Sequence, residues 1–289
     1  MPTERILGID IGIKNLACAI LEVERENGRI VGPHPTLDRQ DWFIINTTPD
    51  SHQHQCCFVG RKACETDASC HHTDKTTGEE RYYCNTHRKA VTTQATKQGQ
   101  SITWRSLNRN QISSMSIVHS MYAKLDQYLD RWNRLDYIVI EKQPPKNPKM
   151  KTVMNHIFDY FVVRLMIDNP TKRLRDILFI EAKYKVHYGR ALLSPERLET
   201  INSRTPESRN KYAYNKAVSI AATEHLLGEW GYGDALEWFR SQSKRDDYAD
   251  CFVETLAWLD IEDRKAMGME TKGKKRGRAK GRVNLVKDV

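Results

Sequence analysis

Four acidic residues lie within or beside apolar runs, where a carboxylate needs a group that compensates its charge. Asp10 interrupts an isoleucine-rich run, and Glu141 ends a short β-branched run. Asp247 and Asp250 open an apolar segment with a helical pattern. An unpaired charge in an apolar strand is costly, and a divalent cation would compensate it. Plainer roles are a hydrogen bond from the turn after Asp10 and an ordinary strand-end acid at Glu141.

The spacing of the last two acids favours a metal site over helix capping. Asp247 and Asp250 lie three residues apart and therefore project from one helical face. Asp246 could serve as the N-cap, and acids in a first turn complement the helix dipole. Capping does not explain Asp250, because it lies on the same side as Val253 and Ala257.

Together these acids predict a metal-dependent phosphodiesterase. Strand ends in open α/β sheets line the binding crevice, so the four carboxylates would converge there. Like charges so close repel unless cations bridge them. Two Mg²⁺ ions about 4 Å apart, or Mn²⁺ in their place, would bridge the acids, activate water and stabilise the leaving oxygen.

The elements that must position these acids follow from hydrophobic periodicity. Paired strands are predicted around 6–11 and 16–21, because a glycine-containing turn separates the two apolar runs. Further strands are predicted at 40–46, 136–141 and 176–181, and helices at 106–135, 150–168, 211–228 and 246–260. Residues 183–209 are interpreted as a polar, basic connection. This order predicts an α/β fold with a mixed sheet of about five strands flanked by helices.

Charge is concentrated near the end of the 289-residue chain, whose net charge is +9. Residues 264–289 carry ten Lys or Arg against Glu270 and Asp288, so this tail holds +8. Such a run suits phosphate binding or nuclear targeting, although it could be only a solubilising tail. The chain has no apolar run of 18 residues and no signal-peptide core at its start. We therefore expect an intracellular protein.

In residues 48–104 few apolar residues recur at a regular spacing, and we interpret this stretch as an inserted Cys/His-rich segment. Five of the seven cysteines lie there: Cys56, Cys57, Cys64, Cys70 and Cys84. Cys84 and His87 form a CxxH pair, and Cys57 and Cys64 could complete a tetrahedral structural Zn²⁺ site. Cys56 and Cys70 are alternative ligands, and His71 and His72 also compete. A segment so poor in apolar residues needs such a clamp to fold.

Two other states of these cysteines remain open. Disulfides are disfavoured in an intracellular protein, and unliganded thiols in a disordered loop are the other possibility. Cys18 and Cys251 lie in apolar contexts and are predicted to be packing residues.

The predicted domain organisation is a core of 1–47 and 105–263, an insert of 48–104 and a disordered tail of 264–289.

Three ordered motifs resemble those of the RuvC-like Holliday junction resolvases, which belong to the RNase H-like superfamily. The sequence is most similar to the resolvases of poxviruses and other large DNA viruses, and it also resembles the fungal mitochondrial cruciform-cutting enzymes. The motifs are GIDIGIKN at 8–15, IVIEKQ at 138–143 and DYAD at 247–250. They cover most of the chain apart from the insert and the tail.

The resemblance implies an RNase H-like fold and a crossover junction endodeoxyribonuclease. Asp10, Glu141, Asp247 and Asp250 would be the catalytic, Mg²⁺-binding acids. A lysine near the scissile phosphate is also implied. Lys216, followed by Lys211, fits its place in the order better than Lys183 or Lys185. The family acts as homodimers that nick two strands of branched DNA symmetrically, leaving 5′-phosphate and 3′-hydroxyl ends.

The resemblance also implies a biological setting, which is DNA recombination and repair or the processing of viral genome concatemers. The protein would then act in the nucleus or at a viral replication site in the cytoplasm.

Basic residues near the strand ends are candidates for contacts with DNA phosphates. The loop after Glu141 and the later basic connection supply them: Lys142, Gln143, Lys146, Lys149, Lys151, Lys183, Lys185, Arg190 and Lys211. Any one of these lysines could equally belong to an ordinary solvated loop.

Three other functions fit parts of the sequence. The GIDIG motif also opens actin/Hsp70-like ATPases, but their second glycine-rich phosphate loop is missing from this sequence. RNase H-like nucleases of transposon or RNA-guided type share the first motif, but they place their cysteines after the glutamate. A non-catalytic DNA-binding module would leave Asp247 and Asp250 without a purpose.

Overall fold

The computed structural model describes residues 3–50, 53–74, 77–107, 112–169 and 173–269. Its main sheet has five strands in the order β3-β2-β1-β7-β8. The strands are β1 (Thr3–Ile11), β2 (Asn15–Glu26), β3 (Arg29–Asn46), β7 (Tyr137–Lys142) and β8 (Asp176–Glu181). β1, β2 and β3 pair antiparallel, whereas β7 and β8 run parallel to β1. The predicted α/β fold with a five-stranded mixed sheet flanked by helices is confirmed.

Helices cover both faces of this sheet. They are α2 (Ser114–Leu125), α3 (Leu129–Trp132), α4 (Pro148–Phe161, continued by a π-helical stretch Val162–Ile167), α5 (Ala182–Ala191), α6 (Pro195–Arg204), α7 (Lys211–Glu229), α8 (Gly233–Ser241) and α9 (Arg245–Ala266). Successive strand residues face opposite sides, and β1 shows this directly. Leu7 and Ile9 pack with α2 and α4, whereas Ile6 packs in the core formed with α9. Asp10 therefore lies on the α9 face.

The predicted polar connection at 183–209 is wrong, because the chain forms α5 and α6 there. α6 begins with Ser194, whose hydroxyl accepts a hydrogen bond from the Arg197 amide, and Pro195 fills the first helical position. α5 buries Lys185 and Gly189, so one face of this basic helix is packed against the rest of the fold. α8 lies between the helices predicted at 211–228 and 246–260, where no element was predicted.

The Cys/His-rich insert forms a small unit of its own. Its three strands, in the order β5-β4-β6, are β4 (Cys70–Thr73), β5 (Glu80–Tyr83) and β6 (Arg105–Ser106), and α1 spans Asn85–Lys97. β6 lies just beyond the predicted insert boundary at 104 but pairs with β4. The unit has a small core of Cys56, Cys70, Tyr83 and Cys84.

The last helix continues into the predicted tail. α9 extends to Ala266, so the first residues assigned to the tail are helical. The rest of that predicted tail, 270–289, lies outside the described residues. Among the helices that the structure describes, none combines the length and the apolar character that a membrane crossing requires.

Candidate active site

Asp10 and Glu141 come together through the pairing of two parallel strands. Ile9 of β1 is in register with Ile140 of β7, so the next residue of each strand is one of the two acids. Both side chains lie in a cleft at the carboxyl ends of the strands, on the α9 face. The paired strand ends thus bring together two acids that are 131 positions apart in the sequence.

Helix α9 brings two more carboxylates to the same place. Asp250 is 9% exposed and Glu254, one helical turn later, is fully buried. Carboxylate oxygens of Asp10, Glu141 and Glu254 lie within 4.8 Å of one another. Oxygens bound to one Mg²⁺ at about 2.1 Å lie roughly 3–4 Å apart, so small side-chain adjustments would make this trio a chelating set.

A lysine from α5 lies among these acids. The Lys185 ammonium is 2.6 Å from a Glu141 oxygen, 3.5 Å from Asp250, 3.7 Å from Asp10 and 3.9 Å from Glu254. Its side chain is 8% exposed. A single buried ammonium thus compensates part of the charge of four carboxylates, which would otherwise repel one another.

The pKa values reflect this crowding. Burial raises the pKa of Asp10 well above its ordinary value, and Glu141 and Asp250 add to the rise against the opposing effect of Lys185. Burial would also raise the pKa of Glu141, but Lys185 outweighs it and lowers that pKa. Conversely, burial disfavours the charged Lys185, yet the surrounding carboxylates raise its pKa well above the usual range. The site is therefore built to hold positive charge.

Asp247 and Lys216 lie at the rim of the same cleft. Lys216 forms an ion pair with Asp246, and its ammonium is 3.8 Å from an Asp247 oxygen. Burial lowers the pKa of Lys216, but the hydrogen bond and charge of Asp246 dominate and raise it. Lys216, which the sequence favoured as the catalytic lysine, thus pairs with rim acids, whereas Lys185 lies among the inner ones. Lys211 is exposed at the start of α7.

The segment 142–151 borders the cleft; it comprises the last residue of β7, the connection and the first turn of α4, and is called the β7–α4 loop below. Lys142, Lys146 and Lys151 are exposed, as a phosphate contact requires. Lys149 instead donates a hydrogen bond to the Ile112 carbonyl oxygen at 3.1 Å. The side chain of Gln143 lines the cleft and lies 3.4 Å from the Glu141 carbonyl oxygen.

Besides Lys185, the other two basic residues of α5 predicted to contact DNA are also engaged with acids. Lys183 pairs with Glu181, and the Arg190 guanidinium is 2.7 Å from a Glu207 oxygen. These two residues are therefore less available to phosphates than the exposed lysines of the β7–α4 loop.

A second candidate metal centre lies in the insert. Cys56, Cys64, Cys84 and His87 place their ligand atoms within 4.8 Å of one another. The Nδ1 atom of His87 is 3.4 Å from the Cys56 sulfur and 3.3 Å from the Cys84 sulfur. A tetrahedral Zn²⁺ with ordinary bond lengths puts sulfur and nitrogen ligands about 3.5 Å apart. These four residues therefore fit zinc.

The insert cluster includes Cys56 rather than Cys57. The Cys56 amide donates to Thr66 and the Cys57 amide to Tyr82, so the two consecutive residues face different segments. Cys57 is exposed and meets the Tyr83 hydroxyl. Cys70 donates its thiol hydrogen to the Tyr83 carbonyl oxygen, 3.4 Å away, and lies outside the cluster.

The environment of the Cys64 sulfur is suited to binding a cation, whereas burial raises the pKa of the neighbouring Cys56 thiol. Hydrogen bonds from Thr66, reinforced by Cys56 and His87, lower the pKa of the Cys64 thiol to about 7. A thiol with this pKa is readily deprotonated, and the thiolate is the form that binds metal.

The insert is tied directly to the turn that follows Asp10. Lys14, in this turn, forms an ion pair with Asp67 of the insert. Thr47, where the chain leaves β3 for the insert, donates its amide to the Lys14 carbonyl oxygen and its hydroxyl to that of Ile13. The insert that carries the cysteine cluster thus contacts the turn next to Asp10.

Two residues of the inner site were not selected as catalytic from the sequence. Glu254 follows Asp250 by four residues, so the spacing 247, 250, 254 on one helical face was a usable signal. Lys185 was predicted to contact DNA and was ranked below Lys216 as the catalytic lysine, because Lys216 fits better the place of that lysine in the order of the motifs.

Comparisons with known proteins give distant similarities. No family model matches the chain. The uncharacterized protein L451 of Acanthamoeba polyphaga mimivirus is 24% identical over 227 residues, which are 78% of this chain and 52% of that protein. The chain therefore spans about half the length of this curated relative.

Two solved resolvases are also similar to the chain. The yeast mitochondrial Holliday junction resolvase Ydc2 has a TM-score of 0.39 and 12% identity, over 93% of this chain and 87% of its own. The fowlpox virus resolvase in complex with Holliday junction DNA has a TM-score of 0.35 and 16% identity, over 89% and 97%.

Proposed function

We propose that this protein is a metal-dependent DNA endonuclease that resolves four-way (Holliday) junctions by symmetric nicking. One observation carries the proposal of a nuclease: Asp10, Glu141 and Asp250, from two strands and a helix, converge around a single buried ammonium in an open cleft. Repelling carboxylates held this close are typical of sites that bind divalent cations and transfer phosphoryl groups. The junction as substrate follows from the three ordered motifs.

Asp10, Glu141 and Asp250 would hold Mg²⁺, with Asp247 contributing from the rim. When bound, the ions activate water and stabilise the leaving oxygen of a phosphodiester. The chain's part is to fix the carboxylates on strands and a packed helix, so that they need no reordering when substrate arrives. Lys185, rather than Lys216, is proposed as the lysine beside the scissile phosphate, because its ammonium already lies among the inner acids.

DNA would approach across the β7–α4 loop. Lys142, Lys146 and Lys151 would neutralise phosphates, and Gln143 in the cleft would contact the strand beside the metals. These contacts do not depend on sequence and would supply most of the affinity. Lys149, Lys183, Lys185, Arg190 and Lys211 would play smaller parts in affinity, since most of them already have partners in the protein.

Zn²⁺ bound by Cys56, Cys64, Cys84 and His87 would hold the insert together. All four positions would be filled by protein, so this metal would be structural.

A homodimer would place two of the carboxylate clefts on one junction, and its two nicks would leave 5′-phosphate and 3′-hydroxyl ends. The proposed setting is recombination and repair, or the processing of viral concatemers, in the nucleus or at a viral replication site.

One assay tests the proposal. Purified protein is incubated with a synthetic four-way junction or with linear duplex of the same sequence, in Mg²⁺ or in EDTA. Symmetric nicking confined to the junction with Mg²⁺ is the expected result. Nicking of linear duplex at the same rate would refute the junction substrate, and equal cutting in EDTA would refute the metal site.

Substitutions at the acids sharpen this test. Asp10→Asn and Asp250→Asn should abolish nicking while junction binding stays within about twofold, because the phosphate-contacting lysines are untouched. Glu262→Gln, on the outer part of α9, is the matched control and should cut normally. An Asp10→Asn protein that cuts at the wild-type rate would overturn the assignment of the site.

A further inference from the structure

Glu254 is the most deeply buried acid of the cleft. Its side chain is 0% exposed, and within the described residues no N–H or O–H group donates a hydrogen bond to either carboxylate oxygen. The side chain instead faces another acid, Glu141, at hydrogen-bond distance. The nearest positive charge, the Lys185 ammonium, is 3.9 Å away, beyond hydrogen-bond range. A buried carboxylate without such a donor costs several kcal/mol, so a fold that keeps one needs a compensating group.

The direction of the side chain identifies that group. An oxygen of Glu254 lies within 4.8 Å of oxygens of both Asp10 and Glu141. Three carboxylates at this separation, with the most buried of them facing another acid rather than an N–H or O–H donor, form a set of hard oxygen ligands such as Mg²⁺ and Mn²⁺ prefer. The unsatisfied oxygens of Glu254 thus point at the place where a cation would compensate all three.

The carboxylates of the cleft fall into two groups. The inner group is Asp10, Glu141 and Glu254. Asp247 lies outside it, near the Lys216 ammonium. Asp250 lies between the two, close to Lys185 and hydrogen-bonded to Ser219. The acids near Glu254 are thus separate from Asp247, which lies beside α7.

We propose that Glu254 is a direct ligand of the inner catalytic cation, together with Asp10 and Glu141, and that Asp247 serves only the outer one. This assignment rests on the proposed metal-dependent nuclease function and adds a fifth carboxylate to it. With a cation held by these three carboxylates, the Lys185 ammonium would be free to contact the substrate phosphate.

The competing role for Glu254 is that of a neutral carboxylic acid that donates a hydrogen bond to Glu141. Gln has the shape of the protonated acid and keeps a donor, but it lacks the charge of a carboxylate ligand. Glu254→Gln therefore separates the two roles. It also removes a buried charge, so the variant should fold at least as well as the wild type in EDTA. Glu254→Met, apolar and of similar length, repeats the measurement if the Gln variant does not fold.

The experiment titrates Mn²⁺ into full-length, zinc-loaded protein and follows free Mn²⁺ by electron paramagnetic resonance, without DNA. We expect Glu254→Gln to weaken the tighter Mn²⁺ site by at least about tenfold, since losing even a supporting group of a ligand costs 10- to 100-fold. Glu262→Gln should bind like the wild type. Wild-type Mn²⁺ affinity in Glu254→Gln would overturn the ligand assignment in favour of the neutral donor.

Failure of this inference differs from failure of the proposed function. If the wild-type protein nicks junctions with Mg²⁺ and Glu254→Gln binds Mn²⁺ unchanged, only the ligand assignment is lost. If Glu254→Gln loses the Mn²⁺ site but the wild type cuts no DNA, the ligand assignment stands and the nuclease proposal falls.

Discussion

Gly8 of β1 lies directly beneath Thr255 of α9. A Cβ atom added at Gly8 would be 1.7 Å from the Thr255 hydroxyl oxygen and 2.8 Å from the Cys251 carbonyl oxygen. Thr255 itself is fully buried and donates its hydroxyl to that same carbonyl. The absence of a side chain at position 8 therefore lets α9 approach the sheet, and this approach brings its carboxylates to Asp10.

Gly8→Ala should push α9 away from the sheet. Overpacking of this kind costs about 1–3 kcal/mol, which for a domain of this size lowers the melting temperature by about 2–4 °C per kcal/mol. A displacement of about 1 Å at a catalytic carboxylate costs about a hundredfold in rate, so junction nicking should fall more than stability. Thermal denaturation and single-turnover nicking measure the two effects.

Gly228→Ala is the matched control for this substitution. Position 228 lies in α7, and a Cβ atom there meets nothing within 4 Å. Alanine favours a helix over glycine by up to about 1 kcal/mol, so this variant should be as stable as the wild type or slightly more so. Equal melting temperatures for Gly8→Ala and the wild type would mean that the helix and sheet do not touch this closely.

Lys185→Met should make the fold depend on added metal. Removing one partner of a buried ion pair costs about 3–5 kcal/mol, and here four carboxylates lose their shared cation. The melting temperature in EDTA should fall, and Mg²⁺ should raise it more in the variant than in the wild type, because the ion replaces the missing ammonium.

Lys183→Met tests whether the effect is specific to the buried lysine. Lys183 lies on the same helix but outside the cleft, where it pairs with Glu181. Its replacement should leave both melting temperatures within about 1–2 °C of the wild type, as expected for a surface pair. If Lys185→Met is as stable in EDTA as the wild type, the ammonium does not hold the acids together.

Adjacent cysteines of the insert should differ in their need for zinc. Cys56→Ser removes a thiolate from the Cys56, Cys64, Cys84 and His87 cluster and should lower zinc content and expose the insert to protease, since zinc binding and folding are coupled. Cys57→Ser should keep one zinc per chain, because its thiol faces Tyr83. Metal analysis and limited proteolysis measure both, and zinc loss from Cys57→Ser alone would reverse the assignment.

Exposed lysines of the β7–α4 loop should set the salt dependence of DNA binding. Lys146→Ala with Lys151→Ala should weaken junction binding and reduce the slope of log affinity against log salt by about 1.8, or about 0.9 for each phosphate contact. Lys149→Ala should change stability rather than the slope, because its ammonium holds the Ile112 carbonyl oxygen. An unchanged slope in the double variant would remove this loop from the interface.

Much of the sheet could be predicted from the sequence because its signals are local. The apolar runs of β1 and β2 and the turn between them specify a hairpin, and the strand predicted at 176–181 has the observed bounds of β8. Asp10 and Glu141 could be selected for the same reason, since each interrupts or ends an apolar strand.

The helices on the far side of the cleft were harder to predict because their burial is tertiary. α5 contains few apolar residues, and Lys185 is buried only through carboxylates that other elements supply. Glu254 is buried by the approach of α9 over Gly8, which the residues next to Glu254 do not encode. Both residues depend on contacts between distant segments.

The link between Lys14 and Asp67 affects how chelation experiments should be read. Since the insert's loop holds the turn next to Asp10, a strong chelator would act twice, once by emptying the cleft and once by loosening the support behind it. Activity that Mg²⁺ alone restores would then report on the cleft. Activity that returns only when Zn²⁺ is also added would measure how far the insert maintains the geometry of the cleft.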